Sequence, residues 1–599
     1  MASSSSATSY KHLWRMLLLV GLATIASVHA VAVKHLTSDY IIVGGGISGL
    51  VVASRLSEDP SITVTVIEAG DDPRGSTNVS VPGFVTRLSG GQYDWNLTTT
   101  PQQHAKQRSI VYQQGFGLGG GSSVNFMAYS RGAPSVFDQW ASQLNDTAWS
   151  WSNMVRYFDK SVHFNPLDTD VAVSPYDASV YVNTTGPVQV SYPHNQERFA
   201  SYFVAAFQNS TNGGPSFPLI DFNAGSSIGV AYHTMTIDPS NSTRSSAATA
   251  HMPFLESRKN VRILTRTRAD KIRIRSKMRI ADGVWVTDLV SKNKVLLKAR
   301  REVILAAGAV QTPKLLMLSG IGPARHLAKH GIKTILNSPA VGSHAIDHVF
   351  PVFTYRVRDN ITTTAQWLNE TYLEELQNDY RRNKGELTSD LGGSQAAERV
   401  PDHLLEAWNA TYHQQLPKDQ NHLQYLFNTA LFANPSNTEN LVTVIPVLTT
   451  PESRGSVRLN SSCPEELPLV NPNYLSSTAD LNILRWGFKR LRAAMLSDSL
   501  ASILVDENSP GLDIQTDDQI DEAIYQSLAT IHHICGTARM ASTREQGVVD
   551  TNLNVFNVDG LRIVDASVFP EIPTTQIQSA VYAVAERAAH LIRSSHYHH

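Results

Sequence analysis

Asp39-Tyr40-Ile41-Ile42-Val43-Gly44-Gly45-Gly46-Ile47-Ser48-Gly49 decides how the rest of this chain is read. Asp39 to Val43 is short, apolar and rich in β-branched side chains, the make-up of a parallel strand buried on both faces. Gly44 to Gly49 follows at once in G-x-G-x-x-G spacing. Leu50 to Leu56 then reads as a helix broken by Asp59-Pro60, and Ile62 to Ile67 as a second strand ending in Glu68-Ala69-Gly70. Strand, glycine turn, helix, strand and acid predict a dinucleotide-binding βαβ unit. In such a unit Gly44 makes the tight turn, Gly46 lets the backbone approach a pyrophosphate, and Gly49 lets the helix pack close to the strand. Ile47 and Ser48 lie in the same turn as candidate cofactor contacts, and the N-terminus of the helix that follows offers free N–H groups and a partial positive charge to phosphate oxygens. Glu68 can accept hydrogen bonds from ribose hydroxyls. The fingerprint alone does not separate FAD from NAD.

Working outward, the chain has 599 residues, 42% hydrophobic and 17% charged, which is a globular composition with length for two or more cores. Lys and Arg number 50 and Asp and Glu 52, so no basic excess exists to hold a polyanion, and nucleic-acid binding finds no support in the composition. The two cysteines, Cys463 and Cys535, offer neither a disulfide scaffold nor zinc-type spacing, and no metal site is expected. One disulfide and two free thiols both remain open.

The first 30 residues read as a signal peptide. Lys11 and Arg15 supply positive charge, Met16 to Val28 an apolar core, and Val28 and Ala30 the small residues of a cleavage site. That apolar run is short for a membrane span, and no other stretch approaches ~18 consecutive apolar residues. The mature chain is therefore expected to be soluble, without a span. Asn-X-Ser/Thr sequons at Asn78, Asn96, Asn145, Asn183, Asn209, Asn241, Asn360, Asn369, Asn409 and Asn460 point to N-glycans and a secreted product.

Further segments choose the cofactor. Gly115-Phe116-Gly117-Leu118-Gly119-Gly120-Gly121-Ser122-Ser123-Val124-Asn125, continued by Arg131-Gly132 and Trp140, resembles the first signature of the glucose–methanol–choline (GMC) family of FAD oxidoreductases. Gly308 to Pro323 resembles the second signature nearly residue for residue, Gly342 with Asp347-His348 a following turn, and Gly560 to Pro570 the strand and turn that return to the flavin. The resemblance runs from Asp39 to the C-terminal helix. It implies an α/β FAD-binding, Rossmann-like domain from residues 38–187, 245–348 and 516–593. It also implies an α+β substrate domain, built on an antiparallel sheet, from 188–244 and 349–515, with the flavin between them. It places Gly119, Gly120, Ser122 and Asn125 along the cofactor, Ala269 at the adenine, and Asp565 and Ala566 at the returning turn. Two departures stand out. Gly121 replaces a usual hydroxyl residue, and Val124 stands where some relatives carry the histidine that attaches FAD covalently, so FAD is expected to be non-covalent.

Ile531-His532-His533-Ile534-Cys535-Gly536-Thr537 resembles the family's His-x-x-Gly-Thr motif, whose register selects His533 as the catalytic base. Imidazole suits this work because its ordinary pKa lies near 6.5. His532 falls where relatives place a substrate-facing side chain, and pocket lining and backbone support are both open for it. Counting back from the expected C-terminal helix, Val581 to Ile592, puts the family's second position, usually His or Asn, at Gln576. Glutamine cannot be a base but can hydrogen-bond the substrate oxygen. Cys535 is assigned no chemistry. Trp367, Tyr372, Trp408, Tyr425, Phe427 and Phe432 are candidates for a pocket wall or for core. The resemblance implies a secreted alcohol oxidase or dehydrogenase. Its substrate would be a small alcohol, aromatic or polyketide-derived, with hydride transfer to flavin N5 and oxygen or a quinone-like acceptor downstream. The alternative is a GMC-fold cyclase or lyase of secondary metabolism that keeps FAD in a structural role.

Overall fold

The structure is a computed structural model that describes residues 37–166, 177–209, 216–430 and 438–596. The expected signal segment and Phe432 lie outside the described residues.

The opening unit forms as its pattern dictates. The strand Thr37–Val43 lies parallel between Val64–Ile67 and the long strand Lys294–Leu305. Val261–Leu264 extends the sheet on one side. On the other, Leu561–Ile563 pairs with the end of Lys294–Leu305, and Ile280–Asp288 and Thr267–Arg275 continue from its beginning as antiparallel ribbons. The helix begins at Ile47 and ends at Leu56, with eight of its residues buried. That burial reflects a second cover. The C-terminal helix, Gln578–His596, packs on it, and its fully buried Glu586 accepts from Arg55 Nη2 at 2.7 Å. The last element of the chain thus seals the first. A buried carboxylate would be costly unless paired, and this one is also met by Lys160 at 3.0 Å.

A second, eight-stranded antiparallel sheet runs Leu504–Ser509, Phe353–Val357, Leu441–Leu448, Leu423–Asn428, Ser394–Glu398, Gly229–Tyr232, with Val349–Pro351 and Leu528–Thr530 alongside. Leu528–Thr530 pairs with Val349–Pro351, so this piece of the segment 516–593 contributes to the antiparallel sheet. Successive side chains of a strand point to opposite faces. Val442 and Val444 accordingly enter the main core, while Leu441, Thr443 and Ile445 line a cavity. Phe353 and Tyr355 against Phe350, Val352 and Thr354 repeat the division. One face of this sheet is therefore core and the other is the wall of a site.

Candidate functional site

Between the nucleotide-binding sheet and the antiparallel sheet lies a cavity of about 1180 Å³. That exceeds the usual size of a small-ligand pocket, ~300–1,000 Å³, and leaves room for a dinucleotide and a small substrate together.

The dinucleotide end is built mostly from backbone. Gly44, at φ +107°, turns the chain out of the strand, and a Cβ there would lie 2.3 Å from the Ala306 oxygen. A Cβ on Gly49 would lie 1.9 Å from the Gly44 oxygen, so only glycine lets the helix sit this close. A Cβ on Gly46, by contrast, would find its nearest protein atom in Gly120 Cα, at 3.7 Å. The protein itself thus leaves space at Gly46, and that space belongs to the cavity. Ile47 and Ser48 line it too; the helix has no side-chain cap, and the buried Ser48 hydroxyl has no hydrogen-bond partner. An uncapped helix start with an orphaned hydroxyl fits a pyrophosphate.

Glu68 lines the cavity, with Oε2 accepting from Gly45 N and Oε1 from Gly70 N, both at 2.8 Å. Burial pushes its carboxyl up from the usual range, against the pull of these N–H groups. Gly120, Asn125, Ala269, Asp565 and Ala566 also line the cavity. Asp565 bridges the two returning segments, accepting from Gly308 N at 3.0 Å, Thr312 Oγ1 at 2.6 Å and Ser567 N at 2.8 Å. The Asn125 amide is engaged within the protein, donating to Gln578 and accepting from Met127 N and Arg244.

Three predicted residues stand behind the wall rather than in it. Gly49 is the close-packing residue already described. Gly119 N donates to the Gly45 oxygen at 2.8 Å, stapling the two glycine loops together. Ser122 Oγ donates to the Gly119 oxygen and accepts from Ala247 N. The sequence pattern marks the loop but does not tell which of its atoms face inward. Gly121 does face the cavity, and a Cβ there would meet nothing within 4 Å. Val124 lines it with a side chain that has no nucleophile.

The opposite end is built from side chains. His533 lines the cavity. Its Nδ1 lies 3.0 Å from Nδ1 of His348, whose Nε2 lies 3.0 Å from the Thr449 carbonyl oxygen. Burial holds His348 down to about 3, so its ring is neutral and carries one N–H. With that hydrogen on Nε2, the ring donates to the Thr449 carbonyl oxygen, which only accepts. His348 Nδ1 is then an acceptor, His533 Nδ1 carries the hydrogen, and His533 Nε2 keeps its lone pair. Burial and the neighbouring His348 and His532 rings hold His533 well below the ordinary imidazole value, so it too is neutral at pH 7. The backbone is fixed as well. Asp347 Oδ1 accepts from His533 N at 2.8 Å, and its Oδ2 accepts from Tyr474 and from Thr530. Burial pushes Asp347 up to about 6. His348 and Asp347 appear in the sequence only as a matching turn; the doublet was the available signal, but nothing in it announced contact with a residue 185 positions away.

His532 does both of the things left open for it. It lines the cavity, and its Nδ1 accepts from Gln113 N at 3.2 Å while the backbone takes φ +63°. A left-handed histidine is uncommon and needs such support. Gln576 also lines the cavity. Its Oε1 accepts from the Ser130 and Thr575 hydroxyls, each at 2.8 Å, and its Nε2 donates to Gln424 at 3.3 Å. One N–H is left over.

Of the expected aromatic wall, Phe427 lines the cavity; the other lining aromatics are Trp95, Phe126 and Phe350. Trp367 packs with Phe84, Tyr372 packs against the same cluster, Trp408 sits half-buried on the main core, and Tyr425 is core with its hydroxyl on Glu398. Trp367, Tyr372 and Trp408 stand in or at the ends of helices away from the cavity, and Phe427 reaches it from the strand Leu423–Asn428 while also packing on Phe199 and Phe203. Cys463 and Cys535 are both free thiols, and burial pushes the Cys535 thiol well up, as suits an inert core residue.

Known proteins resemble this chain along most of its length. The GMC oxidoreductase family profile matches residues 38–350 with its N-terminal part and 451–585 with its C-terminal part. A patulin synthase of Aspergillus clavatus is 34% identical over 581 residues, covering 92% of this chain and 91% of that protein. Versicolorin B synthase of Aspergillus parasiticus is 32% identical, covering 92% and 87%. Among solved structures, a formate oxidase superposes with a TM-score of 0.86 at 29% identity, covering 95% of this chain and all of that one. A fungal aryl-alcohol oxidase does so at 0.80 and 25%, covering 93% and 99%. With both profile halves matched and the nucleotide cradle in place, the chain is a member of the FAD-dependent GMC oxidoreductase family.

Proposed function

We propose that this protein oxidises a small alcohol, aromatic or polyketide-derived, with His533 as the base. The observation that carries the reading is the position of His533 in the cavity wall with its Nδ1 held by His348, which is held in turn by the Thr449 carbonyl, an arrangement that leaves Nε2 for the substrate. Bound FAD supplies the hydride acceptor. His533 takes the hydroxyl proton at Nε2, which raises electron density on the oxygen and eases loss of the hydride from the same carbon. The positive charge then on the ring is stabilised by the neutral His348 acceptor at its Nδ1. Gln576, anchored through its oxygen, offers its remaining N–H to the alkoxide as charge develops. The base and the amide thus divide the labour that relatives give to His with His or Asn.

FAD is held without a covalent bond in this reading, because Val124 offers no attachment chemistry. Solved relatives include a formate oxidase of Aspergillus oryzae studied for FAD modification, so the point is checked directly by acid precipitation, which should release all flavin into the supernatant. Oxygen or a quinone-like compound would reoxidise the flavin. Passage through the secretory pathway is supported by all ten sequon asparagines being solvent-exposed. No described helix is long and apolar enough to cross a membrane.

Anaerobic mixing of the purified holoenzyme with a panel of alcohols tests the reading. Bleaching of the flavin absorbance is expected. The identity with versicolorin B synthase, a synthase by name, favours a second reading, in which the same corner runs cyclase or lyase chemistry with FAD structural. Product formation without bleaching would establish that alternative and remove the first.

A further inference from the structure

His233 and Asp390 form a polar corner that the proposed reaction does not use. Both line the same cavity as His533 and Gln576. His233 follows the edge strand Gly229–Tyr232, and Asp390 precedes its neighbour Ser394–Glu398, so antiparallel pairing of these strands brings the two together. Each side chain is only 5% exposed.

Both ring nitrogens of His233 are buried without a hydrogen-bond partner. A buried donor and acceptor left unmade is expensive, and native proteins seldom keep one unless something binds there. The backbone at this corner is satisfied: His233 N donates to the Gly393 oxygen at 3.0 Å, and Gly392 N donates to Asp390 Oδ1 at 2.9 Å. The backbone is therefore settled, and the orphaned atoms are those of the side chain.

The spacing says what fits. His233 Nε2 lies 3.6 Å from Asp390 Oδ2, beyond a good hydrogen bond. A single oxygen placed at ordinary hydrogen-bond distance from both atoms bridges that gap. It must donate to the carboxylate and accept from the imidazole N–H. A hydroxyl does both, whereas an ether or ketone cannot donate and a carboxylate is repelled by Asp390. Asn428, which lines the same cavity, donates from Nδ2 to the Asp390 carbonyl oxygen at 3.2 Å.

We propose that His233 and Asp390 are a hydroxyl-recognition subsite, so that the preferred substrate carries a second hydroxyl besides the carbinol presented to His533. This rests on the alcohol-oxidation reading for its catalytic consequence, but not for binding. A site built to hydrogen-bond a substrate hydroxyl discriminates strongly against the analogue lacking it, because its own polar groups are then left unpaired.

The test uses the holoenzyme with benzyl alcohol, the three hydroxybenzyl alcohols and 1,4-benzenedimethanol as paired substrates, and resorcinol as a ligand with no carbinol. Resorcinol binding is read from perturbation of the oxidised flavin spectrum. At least one hydroxylated alcohol should exceed benzyl alcohol in kcat/KM by about 10- to 100-fold. In His233→Leu and in Asp390→Asn that ratio should collapse toward 1, and the resorcinol Kd should rise about tenfold or more. Thermal stability separates recognition from scaffolding, since replacing an unpartnered buried imidazole by leucine should hold or raise the Tm. A lower Tm with both alcohols equally impaired would make the pair structural and overturn the proposal. An unchanged ratio with unchanged resorcinol binding would overturn it as well. Should no alcohol reduce the flavin, the resorcinol titration still decides the subsite.

Discussion

The two ends of the cavity are made differently. The dinucleotide end is a backbone object: Gly44, Gly46 and Gly49 matter for the side chains they lack, and all lie within one short turn. The His533 end is a side-chain object, assembled from residues 130, 347–348, 424, 449, 530–533 and 575–576 through hydrogen bonds spanning hundreds of positions. The first should fail abruptly, through sterics, and take folding and cofactor with it. The second should fail in graded steps, each the worth of one hydrogen bond or one proton, while the cofactor stays.

The sharpest way to break the contrast is Gly49→Ala. A Cβ there falls 1.9 Å from the Gly44 oxygen. We expect a loss of about 3 kcal/mol with little bound flavin, read from the flavin-to-protein absorbance ratio and the melting curve. A fully loaded variant with wild-type Tm would mean that the turn relaxes freely. At the other end, His533→Ala should lower the rate of anaerobic flavin reduction by about 10²- to 10⁴-fold with FAD content intact. Reduction at the wild-type rate would remove His533 as the base.

Gln576→Leu should cost less, about 10²-fold in the same rate, since one N–H donor is lost and the base remains. A loss equal to that of His533→Ala would show that the amide does more than polarise. His348→Leu is milder again. It should slow reduction by about tenfold, one hydrogen bond's worth, by freeing the choice of His533 tautomer. His348→Gln, which can both accept from His533 and donate to Thr449, should restore most of the rate.

The smallest effect is in pH. His533 is held well below its ordinary value, so it stays neutral and the rate stays level as pH falls through 7. Asp347, pushed up to about 6, takes a proton below that pH and weakens its grip on His533 N. A shallow decline of less than about tenfold should begin there and be absent in Asp347→Asn. A single steep fall centred at 6.5 would instead mark an unperturbed histidine base.

The sequence alone determined the nucleotide-binding half. Its strand, turn and helix are set by contacts within some thirty residues, where β-branched runs, glycine spacing and an acid at the strand end act locally. The register that selected His533 was legible for the same reason, being carried in a continuous motif, and Gln576 was reached by counting back from the expected C-terminal helix. Only the tertiary structure decided that His348 meets Nδ1 of His533, that Gln576 has one N–H to spare, and that Trp367 and Tyr425 are core while Trp95, Phe126 and Phe350 line the cavity. Those facts depend on which distant segments the fold packs together. A pairing such as His533 with His348 is fixed by the packing of two sheets, and no local preference in either segment encodes it.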